Sequence, residues 1–270
     1  QELYSGRTPW RTGAMPNHSQ SSNDTKSLPH YLKPLGYRVA LLGKGHVGPQ
    51  EAYPFEKLGD IPKREDANPI ALERAGKYMA EAKEAGEPFC LVVASHDGHA
   101  PFHTHGDPDA YDPATLTIPR DAIDTPEYRH NLHGNFVEVT HLDKLLGGLR
   151  ELIAEHELTD DTLVIFCSEQ GNQFPFSKWT CFDGGLASGF VAAWPGVIPA
   201  GIDSDPILWL SDITPSLVEA AGGEVNPDDF DGKSQWANFK GANEKVHDYT
   251  FGAFSNCNII DNRERVFPIR

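Results

Sequence analysis

Three uninterrupted apolar runs set the fold class. They are Arg38-Val39-Ala40-Leu41-Leu42-Gly43, Phe89-Cys90-Leu91-Val92-Val93-Ala94 and Thr162-Leu163-Val164-Ile165-Phe166-Cys167. None alternates apolar with polar residues, so they predict strands covered on both faces. A further run over 189–194 predicts another strand. Helical patterns lie between them. Residues 69–85 are rich in alanine and glutamate. Phe136, Val139, Leu142, Leu145, Leu146, Leu149 and Ile153 recur at helical spacing opposite a charged face. Ser27 is placed to cap a short helix through Leu35 that Gly36 ends, with Pro34 set against its last turn. Asp212-Ile213-Thr214-Pro215 opens a helix ending near Gly222, with Asp212 as cap and Pro215 in its first turn. Helices alternating with buried strands predict an α/β fold, a mostly parallel sheet sandwiched by helices.

At 270 residues the chain can bury one large core. Lys+Arg 23 against Asp+Glu 39 leaves a net charge of −16. That balance argues against nucleic acid or an anionic membrane surface as partner, and leaves room for a local cationic pocket. No run reaches the roughly 18 apolar residues of a membrane span. Cys90, Cys167, Cys181 and Cys257 lie far apart with no C-x-x-C pair, against a zinc knuckle or a disulfide-dense scaffold. The even count leaves a single bridge open. The chain begins Gln1-Glu2-Leu3 with no Met and no visible signal peptide, so it is expected to be a piece of something longer or a processed product. Residues 1–223 read as the α/β domain, and 224–270 as an irregular lead-in to a second region.

In open parallel sheets, ligands bind outside the carboxyl ends of strands. Gly43-Lys44-Gly45-His46-Val47-Gly48 follows the first run. Lys44 and His46 are two apart, so both can point one way from an extended segment. The plain alternative is a solvated glycine-rich turn. Ser95-His96-Asp97-Gly98-His99 follows the second run, with His103 and His105 close behind. Four histidines in ten residues suit a zinc site. They equally suit a polar loop in which one, His99, acts as an acid. Ser168-Glu169-Gln170-Gly171 follows the third run. Its carboxylate and carboxamide offer hard oxygens to Ca²⁺ or Mg²⁺, or form a solvated turn. Lys178 sits among aromatics in Phe174-Pro175-Phe176-Ser177-Lys178-Trp179-Thr180, which suits the rim of a pocket. Together these strand ends describe a pocket for a tetrahedral oxyanion such as sulfate or phosphate.

In order along the chain, these segments resemble the formylglycine-dependent sulfatases of the alkaline-phosphatase-like superfamily. Leu3-Tyr4-Ser5-Gly6-Arg7-Thr8-Pro9 with Arg11-Thr12-Gly13 is similar to the stretch after that family's nucleophile. Ser27-Leu28-Pro29, Tyr31-Leu32-Lys33 and Gly36-Tyr37-Arg38 are similar to its T-L-P-x-Y-L-K-x-x-G-Y. Gly43-Lys44-Gly45-His46-Val47-Gly48 resembles G-K-W-H-L-G, with Gly45 where tryptophan is usual. His99-Ala100-Pro101-Phe102 resembles P-H-x-P-F, and His141-Leu142-Asp143 resembles part of the central helix. Ser168-Glu169-Gln170-Gly171 stands where S-D-H-G or S-D-N-G is usual. Trp194-Pro195-Gly196 and Asp212-Ile213-Thr214-Pro215-Ser216-Leu217 complete the set. Eight motifs in family order make a chance match improbable. The 174–180 segment is nearest the branch containing the heparan N-sulfatases.

The resemblance implies hydrolysis of a sulfuric ester or sulfamate on a sulfated saccharide or other sulfate ester. Lys44 and Lys178 would hold the sulfate, His99 would protonate the leaving group, and His46 would help eliminate sulfate from the enzyme. Glu169 and Gln170 would bind Ca²⁺, with Mg²⁺ as the alternative. The family's C-x-P-S-R cysteine, matured to formylglycine, and its paired metal-binding aspartates on the first strand are expected upstream of Gln1. So the chain is expected to lack its first strand and most of the C-terminal domain, and to be inactive alone. The family association suggests a periplasmic, extracellular or lysosome-like compartment. Two rivals stand: a phosphodiesterase or phosphonate hydrolase of the same superfamily, and an inactive anion-binding relative.

Overall fold

The structure, a computed structural model, describes residues 1–102 and 105–253. His103 and Cys257 lie outside that range, as does the end of the 224–270 segment. The helices in chain order are α1 Glu2–Ser5, α2 Pro9–Thr12, α3 Leu28–Leu32, α4 Ala67–Ala85, α5 Pro126–Glu155, α6 Asp183–Leu186, α7 Ile213–Ala220 and α8 Trp236–Phe239. The strands are β1 Arg38–Gly43, β2 Glu56–Lys57, β3 Phe89–Ala94, β4 Val164–Cys167 and β5 Phe190–Ala193. The architecture is α/β. A parallel sheet runs in the order β2-β1-β3, with Arg38 opposite Phe89 and Gly43 opposite Ala94. β4 and β5 form a separate antiparallel pair, with Val164 opposite Ala193.

β1 is covered on both faces, as its unbroken apolar run predicts. Its Val39, Ala40, Leu41 and Leu42 are all buried. One core cluster joins Val39 and Leu41 to Leu28, Tyr53, Phe55 and Phe230. The other sets Leu42 against Ala71, Ala75 and Met79 of α4 and Leu145 of α5. The alanines of α4 let it approach α5 closely. Asn68 spans the two helices, its amide donating to the carbonyl of His141 at 2.8 Å.

Three expectations need correction. β3 and β4 are only half-buried throughout, not covered on both faces. Among the described residues β3 pairs with β1 alone and β4 with β5 alone. Both strands border a cavity of about 1100 Å³, which the apolar stripe of α5 (Leu142, Leu146 and Leu149) also lines. β5 alternates half-buried with exposed residues, the pattern of an antiparallel strand with one free face. Phe136 and Val139, read as part of the buried α5 stripe, are exposed.

The helix 27–35 splits where Pro34 falls. α3 stops at Leu32, a 3₁₀ turn covers Lys33–Leu35, and Gly36 closes it at φ 90°. Asp212 precedes α7 but does not cap it with its side chain. Its fully buried carboxylate instead accepts from the backbone N–H of Trp209 and Lys233, from Gln235 Nε2 and from His247 Nε2, at 2.8–3.0 Å. Tertiary donors outbid the first turn of the helix because a buried carboxylate needs several strong partners. These bonds tie residues 233–247 to α7.

Candidate active site

Lys44, His46, His99, Glu169, Gln170 and Lys178 all line the same cavity at the carboxyl ends of β1, β3 and β4. Lys44 and His46 follow β1. The backbone N–H of Lys44 donates to the Ala94 carbonyl at 2.8 Å, fixing this segment to the end of β3. Gly43 makes that approach at φ 96°, and a Cβ there would lie 2.2 Å from the Ala94 oxygen.

The loop carrying His99 is strapped down from two sides. Glu138, fully buried on α5, accepts the Gly98 N–H at 3.2 Å. The Lys63 ammonium donates to the carbonyls of His99 at 2.5 Å and Pro101 at 3.4 Å, and lies 3.9 Å from Glu138. His99 Nδ1–H donates to the Ala100 carbonyl at 2.6 Å, which leaves Nε2 as the nitrogen free for chemistry.

Lys178 sits in a turn whose neighbours Phe176 and Trp179 both adopt left-handed backbone, at φ 61° and 66°. Bulky residues rarely do so without constraint. Lys178 N–H donates to the Asn172 carbonyl at 3.1 Å, and Asn172 Nδ2 donates to Asn135 Oδ1 on α5 at 2.9 Å. The Lys178 ammonium lies 5.6 Å from the Trp179 ring centroid. Glu169 and Gln170 leave β4 in a turn packed against α6. A Cβ on Gly171 would lie 1.8 Å from the Gly184 carbonyl oxygen.

Burial and neighbouring lysines shape the titration of the pocket. His46 is pushed below its ordinary value by burial, then by His18 and Lys44. His99 is pushed down by burial and by Lys178, Lys44 and Lys63, which outweigh its bond to Ala100. Burial also lowers Lys178; Glu169 pulls it back up and Lys44 pushes it down. Such mutual perturbation is characteristic of functional clefts.

Among the described residues, His96, His99 and His105 of the histidine-rich loop turn to separate partners. His96 Nε2–H donates to Asp60 at 3.1 Å, and His99 turns to Ala100. His105 Nε2–H donates to Asp97, whose second oxygen accepts from His141 Nδ1–H at 3.2 Å. Asp97, His105 and His141 form a buried cluster that ties this loop to α5. Sequence reasoning missed this grouping, and it missed His18, whose Nδ1 lies 2.9 Å from His46 Nε2. The histidine run announced the loop, but His141 lies on a helix far along the chain. His18 sits in a polar loop with no periodic signal.

A divalent cation fits the donor set in kind. Glu169 and Gln170 present a carboxylate and a carboxamide oxygen to the cleft, hard ligands of the type calcium and magnesium take. They are two of the six or more oxygens such an ion needs.

A family model described as Sulfatase matches residues 1–223. An ulvan-active sulfatase of Formosa agariphila is 30% identical over 271 residues, covering 100% of this chain and 52% of its own length. Human N-sulphoglucosamine sulphohydrolase is 27% identical, covering 75% of this chain and 46% of its own. The chain thus spans about half the length of these relatives. A solved structure from work on glycosaminoglycan metabolism by Bacteroides thetaiotaomicron superposes with TM-score 0.78 at 18% identity, covering 99% of this chain and 70% of its own. The phosphonate monoester hydrolase of Silicibacter pomeroyi superposes at 0.76 with 15% identity, covering 94% and 69%. The fold is therefore shared across different chemistries, whereas the family model and the sequence identity bear on lineage. By the family model, which matches most of its length, the chain belongs to the sulfatase family.

Proposed function

We propose that the chain is part of a hydrolase that releases sulfate from a sulfated carbohydrate, as an ester or a sulfamate. The observation that carries this is the shared cleft, where two lysines and two histidines meet a carboxylate–carboxamide pair. The names of the ulvan-active and N-sulphoglucosamine relatives support a saccharide. The resemblance assigns the attacking oxygen to a formylglycine upstream of Gln1, and charge neutralisation on the sulfate to a cation at Glu169 and Gln170.

The chain's own residues do the rest. Lys44 and Lys178 bind the sulfate oxygens and offset their charge. Burial first, and then the positive charges of Lys178, Lys44 and Lys63, disfavour a protonated His99 while the cleft is empty. An arriving sulfate offsets those charges and so favours a proton at His99 Nε2 as substrate binds. His99 then delivers that proton to the departing sugar oxygen or nitrogen. Burial, then His18 and Lys44, lower the His46 pKa and favour its neutral form, the form that accepts a proton. A compartment outside the cytosol, such as the periplasm or a lysosome, belongs to the same proposal.

The test is sulfate release by the full-length protein with its upstream nucleophile in place. Sulfated monosaccharides should be hydrolysed, and His99→Ala and Lys44→Ala should each lose at least about a hundredfold in kcat/KM. Preference for a phosphonate monoester would favour the phosphonate-hydrolase reading. No turnover of either substrate by the full-length protein would favour an inactive anion binder.

A further inference from the structure

A hollow of about 360 Å³ adjoins the candidate cleft, and Gln173 lines both. Three aromatic rings build its wall. Phe102 and Phe174 stack with centroids 5.6 Å apart and planes 13° apart. Tyr128 lies 5.2 Å from Phe174 at 48°. The polar groups around them are the side chains of Gln173, Asn131, Glu127 and Thr125. Among the described residues, no lysine or arginine lines the hollow.

The loops that build this hollow also carry the cleft residues. Phe102 follows His99 by three positions, and Phe174 precedes Lys178 by four. Tyr128 and Asn131 come from the first turns of α5, whose Asn135 accepts from Asn172. A molecule in the hollow is therefore held by the same segments that hold the sulfate. The volume is at the small end of ligand pockets, about 300–1,000 Å³, suited to one ring. Flat aromatic faces with a few hydrogen-bonding groups suit a ring having an apolar face and hydroxyl edges. The charge lining narrows the ligand further. A sulfate or carboxylate here would meet Glu127 and, among the described lining residues, no lysine or arginine.

We infer that this hollow is a subsite for an uncharged sugar unit linked to the sulfated one, stacked on Phe174, Phe102 and Tyr128 and bonded by Gln173 and Asn131. The inference rests on the sulfated-carbohydrate reading and adds to it that the neighbouring unit is neutral. It makes the acidic exterior compatible with the substrate, because only the cleft has to attract an anion.

Two measurements on the full-length protein test it. The first is binding to an immobilised panel of neutral di- and trisaccharides, which needs no catalysis. At least one should bind, and Phe174→Leu and Asn131→Ala should weaken it by more than about fivefold. Absence of binding to every neutral saccharide overturns the subsite. The second compares sulfate release from a monosulfated disaccharide and from the matching sulfated monosaccharide. Phe174→Leu should lower the disaccharide-to-monosaccharide ratio of kcat/KM by about tenfold, and Glu127→Gln should improve turnover of a disaccharide sulfated on both units. Equal losses on both monosulfated substrates overturn the subsite. Neutral saccharide binding without any sulfate release would keep the subsite and reject the hydrolase reading, so the two fail separately. Asn131→Ala removes a half-buried amide on the rim of the hollow and leaves the aromatic wall in place, so it reads the subsite even where Phe174→Leu weakens the fold.

Discussion

His18 Nδ1 lies 2.9 Å from His46 Nε2, with the two ring centroids 4.7 Å apart. One proton is shared between the facing nitrogens, so the pair cannot carry two charges without losing its bond and gaining repulsion. Burial is the larger cause of His46's lowered pKa, and His18 is the next. His18 holds this position at φ 65°, a left-handed backbone that asparagine tolerates better than most residues.

His18→Asn should therefore keep the turn and remove the imidazole. His46 should then titrate at higher pH than in the parent, by less than about one unit since burial persists. Histidine ¹⁵N chemical shifts followed through pH 5–8 measure it. A His46 that titrates at the same or lower pH would show that His18 has no electrostatic hold on it.

Lys63 offers a second titration test, on His99. Burial is the first cause of the lowered His99 value, and Lys178, Lys44 and Lys63 add to it. Lys63 touches only backbone carbonyls of the loop and Glu138 among the described residues, not the sulfate position. Removing its charge in Lys63→Gln raises the His99 pKa. An acid that must be protonated then stays active to higher pH, so the alkaline limb of kcat/KM moves up. A limb that moves down would mean His99 acts in its neutral form.

The strands β1, β3 and β4 were readable because they are unbroken apolar runs, and the helices because their periodicity and breakers agree. β2 escaped notice because two residues, Glu56 and Lys57, carry no pattern of their own. The direction of β5 was not readable, since parallel and antiparallel pairing depend on the partner. The strand-end rule located Lys44, His46, His99, Glu169 and Gln170, each just after an apolar run. Lys63, Glu138 and Asn135 were not legible. They act by bonds to backbone or to another amide across long sequence separations, and such partners leave no local spacing.

Gly171 is a point where the Glu169–Gln170 turn and the loop carrying Lys178 meet. A Cβ would lie 1.8 Å from Gly184 O and 2.3 Å from Ser177 Oγ. One of these is backbone, so the clash cannot be relieved by rotating a side chain. Gly171→Ala should cost more than about 2 kcal/mol and lower Tm by several degrees. It should also separate Glu169 from Lys178 and weaken anion binding. An unchanged melt would show that the turn has room it does not display.

Asp231 gives the acid-stability test. Burial pushes its pKa up. The hydroxyl and backbone N–H of Thr8, at 2.7 and 2.8 Å, and Arg11, at 2.9 Å, outweigh that and leave it below 3.8. A depressed carboxylate stabilises the fold fully above its unfolded pKa, and the contribution fades as pH falls through the folded value. Asp231→Asn should thus cost about 1–2 kcal/mol near pH 7, with the deficit shrinking below pH 3.8. A deficit that stays constant down to pH 2 would mean packing, not charge, is what Asp231 supplies.

Among the described residues β3 and β4 each leave one edge unpaired, and these edges set the expected behaviour of the isolated 270-residue chain. β1 is paired on both sides, by β2 and β3. The exposed ladder groups lie instead along β3 and β4, over a cavity of about 1100 Å³ lined by Leu142, Leu146, Leu149 and Val164. Open strand edges and contiguous apolar surface favour association and dye uptake. The isolated chain should bind a hydrophobic dye and form oligomers as concentration rises. Calcium should change little, because Glu169 and Gln170 alone make a site on the order of millimolar. A shift in Tm of under about 2 °C at 1 mM calcium is expected, by mass action near the dissociation constant. Adding in trans a peptide that pairs with both edges should suppress the dye signal and the oligomers. A monomer that ignores the dye and gains many degrees with calcium would show that the edges are covered and the metal site complete within this chain.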